Sequence, residues 1–85
     1  MKHAGAEALQ ELEIFLAQLR ELGWLRERTP GHFYCKSRGV LHFHEDPTGL
    51  YADVKFDPTG RFQRVRVSTR PEQDELLHEL RKVGG

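Results

Sequence analysis

The residues best suited to chemistry are histidines and one aspartate in the middle of the chain. His42 and His44 are separated by one residue, so on a β-strand their imidazoles project from the same face. In the strand register derived below, Asp53 lies opposite His42 and His32 lies opposite His44. Two imidazoles and a carboxylate are the donors of a common class of transition-metal site. If the chain binds a metal, we therefore expect His42, His44 and Asp53 to hold it.

A second interpretation of the same face is the binding of an anion or a nucleic acid. Arg64 and Arg66 would meet phosphates, and Tyr34 and Tyr51 would stack on bases, as aromatic residues on open sheets can. Arg64 also lies beside Asp53 in this register, so a metal would compete with its guanidinium for the carboxylate. The formal net charge of zero favours weak binding of nucleic acid.

A third interpretation is catalysis, with His42 as a general base oriented by Asp53 and with Tyr34 and Arg64 as partners. No serine or cysteine nucleophile is expected on this face, and a flat sheet excludes water poorly. The sequence therefore favours a protein that is not an enzyme.

Two amphipathic helices flank this central region. Between Ala6 and Leu22 the apolar residues recur at intervals of three and four, which is the helical period, and Gly23 supplies a left-handed stop. Near the other end Thr69-Arg70-Pro71-Glu72 has the pattern of a capping box with proline in the first turn. Apolar residues follow it on one helical face, so a second helix closes the chain.

Between the helices, runs rich in Phe, Tyr and Val alternate with turn sequences, and Asp-Pro-Thr-Gly occurs at both 46–49 and 57–60. These runs predict an antiparallel meander of four strands. The strands are expected at residues 32–36, 40–45, 50–56 and 61–68. A fifth strand at residues 24–28 would extend the sheet at its edge.

The turn lengths fix the register of the strands. Three loop residues with Gly39 at a bulge, followed by two four-residue turns, place an apolar set from Phe33 to Val67 on one face. Both helices must cover that face, and His3 and His78 are expected to be isolated on the surface. The other face carries three rows, which are His32, His44, Tyr51 and Arg66; Tyr34, His42, Asp53 and Arg64; and Lys36, Val40, Lys55 and Phe62.

Composition bounds the class of protein. The chain has 85 residues, of which 38% are hydrophobic and 31% charged, and these values indicate one domain with a small core. Its basic part is the middle, residues 29–68. No apolar run is long enough for a membrane span, and a single cysteine without a signal sequence indicates a cytoplasmic protein. Nine Arg against four Lys, with no Asn, hints at a thermophilic source.

The order of helix, antiparallel sheet and helix resembles double-stranded-RNA-binding domains and the small ribonuclease toxins built on the same plan. In those toxins a Gly-aromatic pair after the first helix precedes a Gly-Ser-His strand. Gly23-Trp24 and Gly31-His32 are similar to these two features, but the Ser is absent from this sequence. The resemblance implies RNA binding with His32 as a catalytic residue, and it does not extend to a family assignment.

The sequence therefore predicts a single α+β domain over residues 1–85, with a helix, a four- or five-stranded antiparallel meander and a second helix. Both helices lie on one face of the sheet, and residues 1–5 and 84–85 are flexible ends. We expect a small cytoplasmic binding or interaction module without a cofactor, because Tyr, His and Arg are typical of interface centres. Free edge strands favour a homodimer, with a protein partner also open. RNA binding or ribonuclease activity is the alternative, and a metal-binding protein is the third. The expected binding residues are Tyr34, His42, His44, Tyr51, Asp53, Arg64 and Arg66.

Overall fold

The computed structural model describes residues 2–84, which form three helices on one face of an antiparallel sheet of six strands. The α+β class and the four-stranded meander are confirmed, and the fifth strand predicted near residues 24–28 is present at its edge. None of the helices in residues 2–84 is long and apolar enough to cross a membrane. The elements are β1 (Lys2–His3), α1 (Ala6–Glu11), α2 (Glu13–Arg20), β2 (Arg26–Thr29), β3 (His32–Cys35), β4 (Arg38–Asp46), β5 (Gly49–Val54), β6 (Gln63–Arg66) and α3 (Arg70–Gly84).

The core lies between the helices and the apolar face of the sheet, as predicted. Phe15 of α2 meets Phe43 of β4 edge-on, with 6.1 Å between the ring centroids, which is a favoured aromatic geometry. The indole N–H of Trp24 donates to the backbone carbonyl of Leu80 at 3.1 Å and ties the loop after α2 to α3. The buried cluster comprises Leu12, Phe15, Leu16, Leu19, Leu25, Phe33, Val40, Leu41, Phe43, Ala52, Val54, Val67, Leu76, Leu77 and Leu80.

The local signals at the turns and at α3 are confirmed. The backbone N–H of Thr69 donates to the Glu72 carboxylate at 2.9 Å, and the N–H of Glu72 donates to the Thr69 hydroxyl at 3.4 Å. In the turns at 46–49 and 57–60 the aspartate accepts hydrogen bonds from the N–H and the O–H of the threonine two residues later. Both turns therefore use the same aspartate-centred geometry.

The N-terminal helix is divided, and the prediction of one helix from Ala6 to Leu22 is wrong in this respect. The backbone of Leu12 leaves the helical region, with φ −92° and ψ 6°, and α1 and α2 meet there. The side chain of Leu12 is nevertheless fully buried. The left-handed stop predicted at Gly23 is absent from the described chain, in which Gly31 and Gly49 are the glycines with positive φ.

Strand β1 is an element that the sequence pattern does not predict. Its two residues pair with the far end of β4, where His3 lies opposite His44. The backbone N–H of Gly5 donates to the Glu45 carboxylate at 2.7 Å, and the Lys2 ammonium lies 3.4 Å from the same carboxylate. Glu45 therefore anchors the beginning of the chain to β4.

The two predicted flexible ends fall only partly within the described residues. Met1 and Gly85 lie outside them. Of the remaining positions in 1–5 and 84–85, the first two form β1 and Gly84 is the last residue of α3.

The hairpin between β3 and β4 is tighter than predicted. Its turn consists of Lys36 and Ser37, because Cys35 pairs with Arg38, whereas the sequence suggested three loop residues. Lys36 takes the left-handed conformation with φ 58°, which lets the chain reverse in two residues. The pairing with β4 is shifted by three residues at Tyr34, which pairs with Gly39 instead of His42, and by two residues at Phe33. The side chains of β3 keep their predicted faces but acquire different neighbours.

A bulge in β4 corrects the predicted position of Val40. Phe33 pairs with Leu41 and Tyr34 pairs with Gly39, which leaves Val40 as an extra residue between two pairs. Val40 is completely buried, so the prediction that it lies on the polar face is wrong. The bulge allows two consecutive residues of β4 to face the core.

Gly31 is required for the β2–β3 turn to close against α1. Its φ is 77°, and a Cβ atom there would lie 2.7 Å from Leu9 Cδ2. Gly31→Ala should lower the free energy of unfolding by about 1–3 kcal/mol, because alanine disfavours this backbone and meets Leu9. Gly23→Ala is the matched control, since nothing lies within 4 Å of its Cβ position. Urea denaturation measures both, and equal losses would contradict this explanation.

Glu27 joins β2 to α2 and to the turn before β3. Its carboxylate accepts hydrogen bonds from Arg20 Nη2 at 3.1 Å and from the backbone N–H of Gly31 at 2.9 Å. The hydrogen bond from Arg20 lowers the pKa of Glu27 below its usual 4.5. The ionised carboxylate therefore stabilises the fold fully above pH 4.5, and this contribution is lost as the pH falls through the lower pKa of the folded state.

The variant Glu27→Gln should lower the free energy of unfolding at neutral pH by about 1 kcal/mol, because it removes a charge-assisted pair to a half-exposed arginine. The difference from the wild type should shrink in acid, where Glu27 is protonated in both states. Glu21→Gln, at the exposed end of α2, serves as the control. Urea denaturation at neutral and acidic pH tests the prediction, and a deficit independent of pH would count against it.

Candidate functional site

The face of the sheet opposite the core, called the open face below, carries the predicted site. Strand alternation requires His42 and His44 to point to this face, because the intervening Phe43 points into the core. The pairing of β4 with β5 and of β5 with β6 is the predicted one. It forms the rows His42–Asp53–Arg64 and His44–Tyr51–Arg66.

Histidines from three strands meet on the open face. His3 comes from β1, His32 from β3, and His42 and His44 from β4, and neighbouring ring centroids lie 4.7 to 6.1 Å apart. These are four of the five histidines in the chain, and we call them the histidine cluster. The fifth, His78, is exposed on α3.

Two members of the histidine cluster occupy positions that the sequence did not predict. His3, expected to be isolated on the surface, stacks on His44 with 4.7 Å between ring centroids. His32, expected opposite His44, lies beside His42, with nearly parallel rings 6.1 Å apart. The tighter β3–β4 turn moves His32, and β1 fills the place beside His44. A strand of two residues has no periodicity, so no sequence signal could locate His3.

Asp53 is the carboxylate at the centre of the site. It is 8% exposed and accepts two hydrogen bonds from Arg64, from Nε at 2.8 Å and from Nη2 at 3.0 Å. These hydrogen bonds lower the pKa of Asp53, so the carboxylate is ionised at neutral pH. The two-pronged contact also fixes the plane of the carboxylate.

Both histidines of β4 approach the same oxygen of Asp53. Its Oδ2 atom lies 3.4 Å from His42 Nε2 and 3.2 Å from His44 Nδ1. One donor atom from each of the three residues lies within 4.8 Å of the others. The side chain of His44 is 11% exposed, and its buried Nδ1 atom has no hydrogen-bond partner.

Burial keeps the two imidazoles of β4 neutral. It lowers the pKa of His42 and of His44, and the nearby Asp53 only partly opposes this effect. A neutral imidazole has one nitrogen with a free lone pair, which is the form that binds metals and accepts protons.

Tyr51 and Arg66, in the second row of the predicted site, make contacts with the 46–49 turn and with α3. The Tyr51 hydroxyl lies 2.7 Å from the Thr48 hydroxyl. Arg66 donates to the carboxylate of Glu72 on α3 at 3.0 Å and to the Thr48 carbonyl at 3.3 Å. Tyr51 and Arg66 thus border the histidine cluster but hold the 46–49 turn and α3 in place.

Tyr34 lies apart from the other predicted site residues. It pairs with Gly39, and the predicted pairing with His42 is wrong because β3 is shifted. The guanidinium of Arg28 lies 4.8 Å from the centre of the Tyr34 ring, which is a cation–π contact. Tyr34 therefore forms the β2 side of the open face.

Phe62, just before β6, closes the opposite side of the site. Its ring meets His42 edge-on at 5.0 Å, and the Lys55 ammonium lies 4.7 Å from its centre. The side chain of Phe62 is 44% exposed. Sequence analysis placed Phe62 on this face but did not include it among the expected binding residues.

The arrangement is suited to three kinds of chemistry. Neutral imidazoles around one ionised carboxylate can hold a transition metal. The contact between His42 and Asp53 is also that of a general base with its orienting acid. Cys35 is not available to this pair as a nucleophile, because it packs against the core on the other face. Arg28 and Lys55, next to aromatic rings, suit an anionic ligand.

Neither a protein-family model, nor a curated protein, nor a solved structure matches this chain. The geometry of the open face is therefore the basis for a proposed function.

Asp53→Asn tests whether the carboxylate is a structural partner of Arg64. The amide keeps the shape of the side chain but loses the charge, so the free energy of unfolding should fall by about 1–3 kcal/mol. Asp74→Asn on α3 removes an exposed ion pair with Arg70 and should change it by less than about 1 kcal/mol. Urea denaturation of metal-free protein compares the two. An unchanged Asp53→Asn variant would show that the guanidinium contact contributes nothing to stability.

Proposed function

We propose that this chain is a small binding module whose binding surface is the open face of its sheet. The observation that carries this proposal is the gathering of the histidine cluster and Asp53 on that face. In residues 2–84 all three helices pack on the other side, so this surface is accessible to a ligand or partner.

The polar groups of the open face are more buried and less fully hydrogen-bonded than those of an ordinary solvent-exposed surface, and this supports a role in binding. Asp53 and His44 are largely withdrawn from water, which costs free energy unless every polar atom finds a partner. His44 Nδ1 has none. Incompletely satisfied polar groups that also have shifted pKa values are typical of functional sites.

The distribution of charge favours an anionic ligand or partner. The side chains of Arg28, Lys55 and Arg64 lie on the open face, where Asp53 lies among them and Asp46, at the end of β4, is close enough to Arg64 for their charges to interact. The three helices on the covered side carry seven acidic residues against four basic ones, which are Glu7, Glu11, Glu13, Glu72, Asp74, Glu75 and Glu79 against Arg20, Arg70, Arg81 and Lys82. Such a separation of charge orients an approaching anion towards the open face, even though the formal net charge is zero.

We also propose a homodimer, formed through the edge of β6, in the cytoplasm. The N–H of Val67 donates to β5, so by alternation the N–H groups of Arg64 and Arg66 point away from the sheet. Both arginine side chains are already paired within the chain, with Asp53 and Glu72. The edge is thus free for strand pairing without a large repulsion between copies.

RNA binding is a second candidate function, favoured by two cation–π pairs on the open face. Arg28 over Tyr34 and Lys55 over Phe62 flank the histidine cluster on opposite sides. An exposed aromatic ring next to a cation suits a base with its phosphate. This candidate requires affinity that falls steeply as salt is added.

Backbone NMR spectra of the ¹⁵N-labelled, metal-free chain test these proposals together. Increasing protein concentration should shift the amide signals of Arg64 and Arg66 if the dimer forms at β6. Addition of a short single-stranded oligouridylate at low salt should shift signals of the open face, and high salt should reverse the change. Arg28→Gln should weaken that response, and Arg70→Gln, on the helical side, should not.

The outcomes separate the candidates. Signals that move only on α1, α2 and α3 would contradict use of the open face. Signals unchanged by dilution would remove the homodimer, and signals unchanged by the oligonucleotide would remove RNA binding.

A further inference from the structure

We propose that the histidine cluster is a binding site for a divalent transition-metal ion of the zinc type, with His42, His44 and Asp53 as ligands and His3 as the fourth. The inference rests on the proposed function, because the ion would lie on the same open face, where its positive charge would add to the attraction for an anionic ligand or partner. It extends the metal hypothesis from the sequence by adding a residue that no sequence pattern indicated.

Two of the three distances between donor atoms match the spacing of ligands around one zinc ion. Zinc binds nitrogen and oxygen at about 2.0–2.1 Å, so two ligands in a tetrahedral site are about 3.3 Å apart. Asp53 Oδ2 lies 3.4 Å from His42 Nε2 and 3.2 Å from His44 Nδ1. The donor atoms of His42 and His44 lie within 4.8 Å of each other, so a shared ion would draw the two imidazoles together around Asp53.

The positions of the rings select His3 over His32 as the fourth ligand. Two imidazoles on one tetrahedral zinc have ring centres about 5 Å apart, given the same bond lengths. His42 and His44 are separated by 5.0 Å, and His3 lies 4.7 and 5.8 Å from His44 and His42. His32 is farther away, at 6.1 Å from His42 and 5.9 Å from His3.

The chemistry of the donors selects the class of ion. Imidazole nitrogens suit Zn²⁺, Co²⁺, Ni²⁺ and Cu²⁺, whereas Mg²⁺ and Ca²⁺ prefer several oxygen ligands. The site offers three imidazoles and one carboxylate. The buried Nδ1 of His44, which makes no hydrogen bond, would coordinate the ion through its lone pair.

Arg64 orients the carboxylate for this role and also limits the affinity. Its two hydrogen bonds to Asp53 hold the oxygens in place, as hydrogen bonds behind metal ligands commonly do. The same guanidinium withdraws negative charge from the carboxylate. Arg64→Gln should therefore change the affinity for Zn²⁺ without abolishing it, since Arg64 is a positioning residue.

A simple pair of opposite charges across two strands would not explain the cluster. Charge complementarity accounts for Asp53 beside Arg64 and for one histidine opposite Asp53. It does not account for a two-residue strand that adds His3, or for four of five histidines meeting at one place.

Isothermal titration of the untagged, chelator-treated full chain with ZnCl₂ tests the proposal. We expect one ion per chain and a rise in melting temperature on binding. The variants His44→Ala and His3→Ala should each weaken the affinity at least about tenfold, and His32→Ala should weaken it less than His3→Ala. His78→Ala, on α3, is the matched control and should bind like the wild type.

Co²⁺ provides a second measurement, because tetrahedral coordination gives visible absorption bands of characteristic intensity. Circular dichroism of each metal-free variant confirms that it folds, and His42→Gln replaces His44→Ala if that variant does not. The proposal is overturned if the wild type shows no saturable Zn²⁺ binding, or if binding is undiminished in the ligand variants.

Failure of this inference is distinguishable from failure of the proposed function. Zn²⁺ binding at the histidine cluster without any response to dilution or oligonucleotide would support the metal site and remove the dimer and RNA binding. If amide signals of the open face change with concentration or oligonucleotide in a chain that binds no Zn²⁺, the metal site is overturned and the proposed binding module stands.

Discussion

Strand β4 is paired along both of its edges, and this pairing determines the position of nearly everything else. β5 lies along one edge, while β3 and β1 share the other, β3 at the beginning of β4 and β1 at its end. The inward residues Leu41 and Phe43 contribute to the core. His42 and His44, which alternate with them, are therefore forced onto the open face. Packing of the core and placement of the site are two consequences of one strand.

The polar site is stable because its single carboxylate is doubly hydrogen-bonded. A carboxylate that is 8% exposed loses much of its hydration, and Arg64 replaces it with two charge-assisted hydrogen bonds. Burial in turn keeps His42 and His44 uncharged, so the imidazoles do not repel one another. Arg64 thus orders the site on one side of Asp53. On the other side, the imidazole nitrogens of His42 and His44 remain available to bind a ligand.

A structural feature could be predicted from the sequence where a few neighbouring residues determine it. The capping box at 69–72, the turns at 46–49 and 57–60 and the register of β4, β5 and β6 were predictable, because a few neighbouring residues specify each of them. The turn at Lys36–Ser37 was not predictable, since no sequence pattern indicates a lysine in the left-handed conformation. That one turn explains the new neighbours of His32 and Tyr34, and it coincides with the bulge that buries Val40.

Longer-range features escaped the sequence for a different reason. The break at Leu12 and the two residues of β1 carry no pattern of their own and are fixed by what they pack against. Six of the seven predicted site residues lie in the two confirmed rows, whereas His3 became visible only once β1 had been placed beside β4. Sequence analysis therefore found the central part of the candidate site but not its fourth histidine.

The attachment of β1 also has a consequence for the order of folding. The hydrogen bond that joins Gly5 to Glu45 spans 40 positions in the chain, while the hairpins β3–β4 and β4–β5 close over short turns. Contacts between distant positions lose more chain entropy on closure and tend to form after local ones. We expect β1 to dock after the hairpins have formed, so that His3 reaches His44 only when the rest of the histidine cluster is already in place.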